Sequence, residues 1–217
     1  MIELDGPRLA PASGDEPEQL VIFCHGFGAD GNDLISLGSA LQSLLPEAAF
    51  VSPHAPEPCA MAPMGRQWFP ITRMDPQEYW HGCQAAGPIL DNFIDREMAR
   101  CKLSDNRVAL VGFSQGTMVA LYVALRRARP LAGVVGYSGA LAGPEHLAGE
   151  IKARPPILLV HGKRDEMVPA AALTAAAKAL AGNNVSVEWH LSDDLGHGID
   201  QNGLELGGRF LAKVLYA

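Results

Sequence analysis

One serine stands between two glycines in Gly112-Phe113-Ser114-Gln115-Gly116, a G-x-S-x-G pentapeptide. The apolar run "RVALV" precedes it and "TMVALYVAL" follows. A serine at a sharp strand-to-helix turn needs small neighbours, so that the backbone can reverse and lift the hydroxyl clear of the sheet. The helix N-terminus there favours developing negative charge. Such a hydroxyl attacks a carbonyl carbon when a base takes its proton and an acid orients the base. The plainer alternative is a glycine-rich turn with a serine N-cap, which three fixed residues alone do not exclude.

The partners of an elbow serine follow in the order acid, then histidine, each on a loop after a strand. After "PILLVHG" comes Lys163-Arg164-Asp165-Glu166, which puts Asp165 just past a strand end. After "VSVEWHL" comes "SDDLGHGID", which puts His197 in the next such loop. Asp193 and Asp194 are rivals for the acid. They share the loop of His197, whereas the orienting carboxylate comes from a neighbouring strand end, so Asp165 is favoured. Of the other histidines, His190 falls within a strand, and His25 and His161 precede glycines at strand ends and read as turn-shaping. His54 and His81 flank an irregular segment, and His146 falls in a surface loop.

A second glycine-rich stretch, Gly26-Phe27-Gly28-Ala29-Asp30-Gly31, matches G-x-G-x-x-G, the pattern of a dinucleotide-binding loop. That reading requires an acid about 20 residues on, at the end of the next strand, to hold a ribose hydroxyl. Ser52, Pro53 and His54 occupy the place, and Glu57 follows only after two prolines. A serine hydrolase instead needs a glycine-rich "HG" loop after an early strand, and "HGFG" meets that need. The oxyanion donors are therefore assigned to the backbone N–H groups of Phe27 and Gln115.

These residues need a scaffold that brings loops from several strands to one edge. Short apolar runs at 19–24, 48–52, 107–113, 132–138, 156–161 and 185–191 are mostly continuous rather than alternating. That is the pattern of parallel strands buried on both faces. Helical spacing falls between them, at 32–45, 84–101, 115–128, 170–181 and 204–215. Strand and helix in repeated alternation predict an α/β fold, a mostly parallel central sheet with helices on both faces. "IELDGPRLAP" is expected to add an edge hairpin strand. Ligands bind such sheets at the carboxyl ends of the strands, where Ser114, Asp165 and His197 all fall.

The stretch 53–80 has six prolines, three methionines and two tryptophans, and no clean period. Irregular segments of this length inside a domain are usually functional. Residues 59–80 are expected to form a lid-like segment over the site. Met61, Met64, Trp68, Phe69 and Ile71 are assigned to an acyl-binding wall, since methionine and flat aromatics accept varied chains. The plainer alternative is that they tie the loop to the core.

Bulk properties narrow the partners. The chain is 48% hydrophobic and 19% charged, with net charge −7, which argues against nucleic acid or an anionic membrane as the main partner. No run approaches the ~18 apolar residues of a membrane span, and no leader pattern opens the chain. Cys24, Cys59, Cys83 and Cys101 show no metal-ligand spacing and read as reduced thiols of a cytoplasmic protein.

"HGFGADGNDL", "GFSQGTMVALYVAL", "HGKRDEMVP" and "GHGI" together resemble the phospholipase/carboxylesterase family of α/β-hydrolases. Its relatives include acyl-protein thioesterases and lysophospholipases, and the likeness runs from about residue 19 to the C-terminus. "RQWFPI" resembles the family's segment over the acyl site. The resemblance implies one α/β-hydrolase domain over residues 1–217, a triad of Ser114, Asp165 and His197, no cofactor and no metal. It implies a small-molecule acyl ester as substrate and leaves a homodimer open. Thr117 stands where the eukaryotic thioesterases usually have glycine, and Pro70 where they commonly have aspartate. The chain thus looks closer to bacterial members, with carboxylester, lysophospholipid and thioester substrates undivided. The alternatives are a non-catalytic hydrolase-like binding protein, and a peptidase or C–C hydrolase on the same fold.

Overall fold

The structure is a computed structural model and describes residues 2–217. Among the described residues nine strands form in chain order: β1 (Arg8–Leu9), β2 (Gln19–Cys24), β3 (Ala48–Val51), β4 (Glu57–Pro58), β5 (Arg66–Gln67), β6 (Val108–Phe113), β7 (Gly133–Tyr137), β8 (Ile157–Gly162) and β9 (Val187–Ser192). Six helices join them: α1 (Gly31–Leu41), α2 (Pro76–Cys101), α3 (Gln115–Ala124), α4 (Leu147–Glu150), α5 (Ala171–Gly182) and α6 (Gln201–Leu215).

Seven strands make one sheet in the order β1-β3-β2-β6-β7-β8-β9. All neighbours are parallel except β1, which runs antiparallel to β3 with Leu9 opposite Phe50. The expected N-terminal edge strand thus exists, but it pairs across the chain and not as a hairpin.

Alternation along the central strands divides the core in two. Leu20, Ile22, Val108, Leu110, Ile157 and Leu159 face the side covered by α2, α3 and α5. Val21, Phe23, Ala109, Val111, Leu158 and Val160 face the side covered by α1 and α6. Both faces are therefore dry, which is why these strands read as unbroken apolar runs.

The helix starts are built locally. Asp30, Asp75 and Asp200 each accept a backbone N–H of the first turn of α1, α2 and α6, the usual N-cap bond. At α2 the cap is doubled. Asp75 accepts from the Glu78 amide, and the Glu78 carboxylate accepts from the amides of Thr72, Arg73 and Met74. With Pro76 in the first turn, this starts α2 at residue 76, eight residues before the expected 84. The irregular stretch expected over 59–80 is shortened accordingly, and residues 76–80 belong to the helix. Farther up it, β4 and β5 pair as a short antiparallel ribbon.

Candidate active site

Ser114 sits between β6 and α3 at φ 53° and ψ −117°, a left-handed conformation for a residue with a side chain. The strain persists because the elbow is held from several sides. The Ser114 amide donates to the Tyr137 carbonyl at 2.9 Å, and Thr117 Oγ1 donates to the same oxygen at 2.9 Å. A Cβ on Gly112 would overlap the Thr117 backbone, and one on Gly116 would overlap the Cys24 carbonyl. The two glycines of the pentapeptide are thus demanded by close approach of backbone.

Asp165, in the loop after β8, has a fully buried carboxylate. One oxygen, Oδ1, accepts the amides of Met167 and Val168, both at 2.9 Å. The other, Oδ2, lies 2.8 Å from Nδ1 of His197, which is 22% exposed. A carboxylate accepts only, so His197 carries its proton on Nδ1 and leaves Nε2 as a base. The rivals lie elsewhere. Asp193 and Asp194 are 80% and 85% exposed and pair with Lys163 and Arg164.

Ser114 and His197 border one cavity of about 290 Å³, together with Phe27, Phe113 and Gln115. Ser114 Oγ has no hydrogen bond to His197 among the described residues; such bonds often close only when substrate arrives. The two residues assigned as oxyanion donors, Phe27 and Gln115, line the same cavity as the serine. Gly28 donates to the Arg66 carbonyl and Ala29 to the Gly26 carbonyl, whereas the Phe27 amide makes no such bond among the described residues. Gln115 opens α3, so its N–H has no acceptor in its own helix.

The cavity walls are apolar: Met61, Ile71, Met74, Met118 and Met167. A second chamber of about 320 Å³ adjoins it, sharing Met74, Tyr79, Met167 and Val168, and is floored by Ala172 and Ala176. Of the five side chains expected in an acyl wall, Met61 and Ile71 are therefore on the cavity. Met64 lies on a separate open depression beside Gly28 and Asp30. Trp68 and Phe69 do not border the cavity; each is 1% exposed, inside the core. The physical reason is polar as well as apolar: the indole N–H of Trp68 reaches the His25 carbonyl at 3.0 Å.

Three contributors were not legible as such in the sequence. His161 is buried beside Asp165, with Nε2 3.2 Å from Oδ2 and 2.8 Å from the Val168 carbonyl. His25 is buried between the Gly26 carbonyl, 2.8 Å from Nδ1, and the Ala55 amide, 2.9 Å from Nε2. That pair of contacts requires the proton on Nδ1. Burial holds the pKa of His25 below its ordinary value, against the pull of the Gly26 carbonyl. Ser138, at φ 46°, donates to the Gly198 carbonyl at 3.1 Å and so ties the end of β7 to the His197 loop.

Among the described residues no group of three or more His, Cys, Asp or Glu is gathered as for a metal ion. No helix among them is long and apolar enough to cross a membrane. A mostly parallel sheet with a strained serine elbow and a buried Asp–His pair at its carboxyl edge defines an α/β-hydrolase. A family model described as Phospholipase/Carboxylesterase matches residues 10–215, so the chain belongs to that family and is an ester-cleaving hydrolase.

The crystal structure of esterase PE8 superimposes with a TM-score of 0.95 at 38% identity, covering 99% of this chain and 100% of that one. Esterase YpfH of Escherichia coli is 28% identical over 194 residues, 89% of this chain and 82% of its own length. Acyl-protein thioesterase 1 of Gibberella zeae is 27% identical over 226 residues, 96% of this chain and 95% of its own length.

Proposed function

We propose that this chain hydrolyses carboxylic esters through an acyl-enzyme on Ser114. His197 Nε2 takes the Ser114 proton as Oγ attacks the carbonyl carbon, and the π electrons move to oxygen. The N–H groups of Phe27 and Gln115 hold that oxyanion. Collapse expels the alcohol or thiol, protonated by His197. Water then enters, His197 removes its proton, and the same cycle frees the acid. Asp165 keeps the imidazole in the tautomer that leaves Nε2 free, and its negative charge favours the imidazolium that forms.

The observation that carries this reading is the 2.8 Å contact between Asp165 Oδ2 and His197 Nδ1, with His197 on the same cavity as Ser114 at its strained elbow. The walls support an acyl substrate with an extended apolar chain. The carbonyl sits by Ser114 and the chain runs past Met74 and Met167 toward the alanine floor of the adjoining chamber. A fluorophosphonate probe tests the chemistry: it should label wild type at Ser114 and leave Ser114→Ala unlabelled. Labelling at another residue, or none, would contradict the assignment. Carboxylester, lysophospholipid and thioester substrates of equal acyl length, assayed side by side, decide among the three classes.

A further inference from the structure

We infer that the segment 66–69 is a strap that sets the spacing of the oxyanion donors, with Trp68 and the Gln115 side chain as its positioning residues. This rests on the donor assignment above and adds to it residues that do not touch the substrate. The two donors belong to segments far apart in sequence, Phe27 after β2 and Gln115 at the start of α3. Each half alone is well formed. Pairing of β2 with β6 brings their ends together, with Cys24 opposite Gly112, but the Phe27 loop runs on beyond the last paired residue, and the gap between the two donors must match one oxygen atom.

The strap makes bonds to both halves. Toward the Phe27 loop, the Gly28 amide donates to the Arg66 carbonyl at 2.9 Å, and the Arg66 amide donates to the Ala29 carbonyl at 2.7 Å. The Trp68 indole N–H donates to the His25 carbonyl, two residues before Phe27, at 3.0 Å. Toward the elbow, the Trp68 amide donates to Gln115 Oε1 at 2.9 Å, and Gln115 Nε2 donates to the Phe69 carbonyl at 2.8 Å. Gln115 thus lines the cavity while its side chain, 1% exposed with its residue, is clamped through both amide atoms by the strap. A Cβ on Gly65 would overlap the Gly28 carbonyl, so the strap lies flat on the loop.

All five of these bonds link different segments, and the two to Gln115 and the one from the indole are buried. Buried bonds of this kind are costly to break because each freed group is left without water. The strap therefore acts as a rigid spacer, and its output is geometry at a transition-state charge. A displacement of about 1 Å there can cost on the order of 10²-fold in rate.

Two variants separate positioning from packing. Trp68→Phe keeps an aromatic ring and removes the indole donor. Gln115→Met keeps the chain length and the backbone N–H and removes both amide bonds. For each, kcat and KM are measured on p-nitrophenyl acetate, the Ki on an aryl trifluoromethyl ketone, and Tm by calorimetry. The ketone accepts Ser114 Oγ at its carbonyl carbon and leaves an oxyanion, so its affinity reads the hole directly.

The strap predicts that kcat falls by about 10- to 100-fold, KM stays within about twofold, and the ketone Ki rises in step with the loss in kcat. If kcat and Ki stay within about twofold of wild type, whatever happens to Tm, the segment is packing and the proposal fails. A loss carried by KM at unchanged Ki also overturns it, since that would make the segment a substrate wall. Should Trp68→Phe not fold, Gln115→Met alone decides by the same criteria. A wild type that the ketone does not inhibit would sink the serine reading and the strap together, whereas an inhibited wild type with unaltered variants sinks the strap alone.

Discussion

His161 and His197 meet on one oxygen: their Nε2 and Nδ1 atoms lie 3.2 and 2.8 Å from Oδ2 of Asp165. His161 Nε2 is also 2.8 Å from the Val168 carbonyl, so it carries a proton and shares it between two acceptors. With the Met167 and Val168 amides on Oδ1, every direction from the buried carboxylate is met by a donor. The Asp165 carboxylate is therefore held in one orientation.

His161→Leu removes that shared donor and leaves the Val168 carbonyl short of a partner in a dry site. A buried polar group without a partner costs about 1–3 kcal/mol. Tm should fall by about 2–12 °C, given about 2–4 °C per kcal/mol for a chain of this size. Calorimetry checks this; an unchanged Tm would mean that water replaces the imidazole.

Asp165→Asn should lower kcat by roughly 10³ to 10⁴, since the uncharged amide can donate its N–H to an unprotonated Nδ1 and hold His197 in the wrong tautomer. Asp194→Asn should stay near wild type, because Asp194 is 85% exposed and paired only with Arg164 at the surface. Steady-state kinetics on one short ester ranks the two, and the opposite ranking would move the acid to the histidine loop.

Ser114→Gly should abolish esterase activity and raise stability together. A side chain at φ 53° stores about 1–3 kcal/mol of strain, and glycine removes it at an entropic cost of about 0.5–1 kcal/mol. Denaturant midpoints should rise for Ser114→Gly relative to Ser114→Ala, which keeps the strain. Equal midpoints for the two variants would mean that the elbow is relaxed.

Ala172→Phe fills the chamber beyond Met74 and Met167 while leaving the serine cavity open. On p-nitrophenyl esters from C2 to C12, wild-type kcat/KM should climb by up to about fourfold per methylene, from about 0.8 kcal/mol each, until the chamber ends. The variant should match wild type on C2 and stop climbing at a shorter chain. Equal losses at every length would place the chain elsewhere.

Stability should depend on pH through His25. Burial holds its folded pKa below the ordinary value, so the unfolded chain takes a proton first as pH falls through about 6.5. His25 therefore favours the folded state fully above that value, and stability declines below it by at most about 1.4 kcal/mol per pH unit. Urea midpoints between pH 8 and 5 should fall more steeply for wild type than for His25→Asn. Parallel slopes would assign the dependence to other groups.

The sequence by itself determined the scaffold and the order of the chemical groups. Continuous apolar runs such as "QLVIFC" and "RVALVGF" read as strands covered on both faces, and Gly112 is demanded within the elbow itself by the Thr117 backbone. Asp165 and His197 were legible because each follows a strand end, a position that local pattern reveals. The start of α2 was also local, in Asp75-Pro76 and Glu78, though the irregular composition upstream obscured it.

What only the tertiary structure decided is which atoms meet across long separations. Trp68 reads as part of an acyl wall in a loop of prolines, yet it is buried off the cavity, because its two N–H groups find Gln115 and the His25 carbonyl 47 and 43 residues away. His161 reads as a turn residue and stands instead on the carboxylate of Asp165. Local spacing cannot report the Trp68 contacts, since they depend on strands β2 and β6 lying side by side with their ends in register; the His161 contact spans only four residues, but it depends on how the loop after β8 folds back on the strand end.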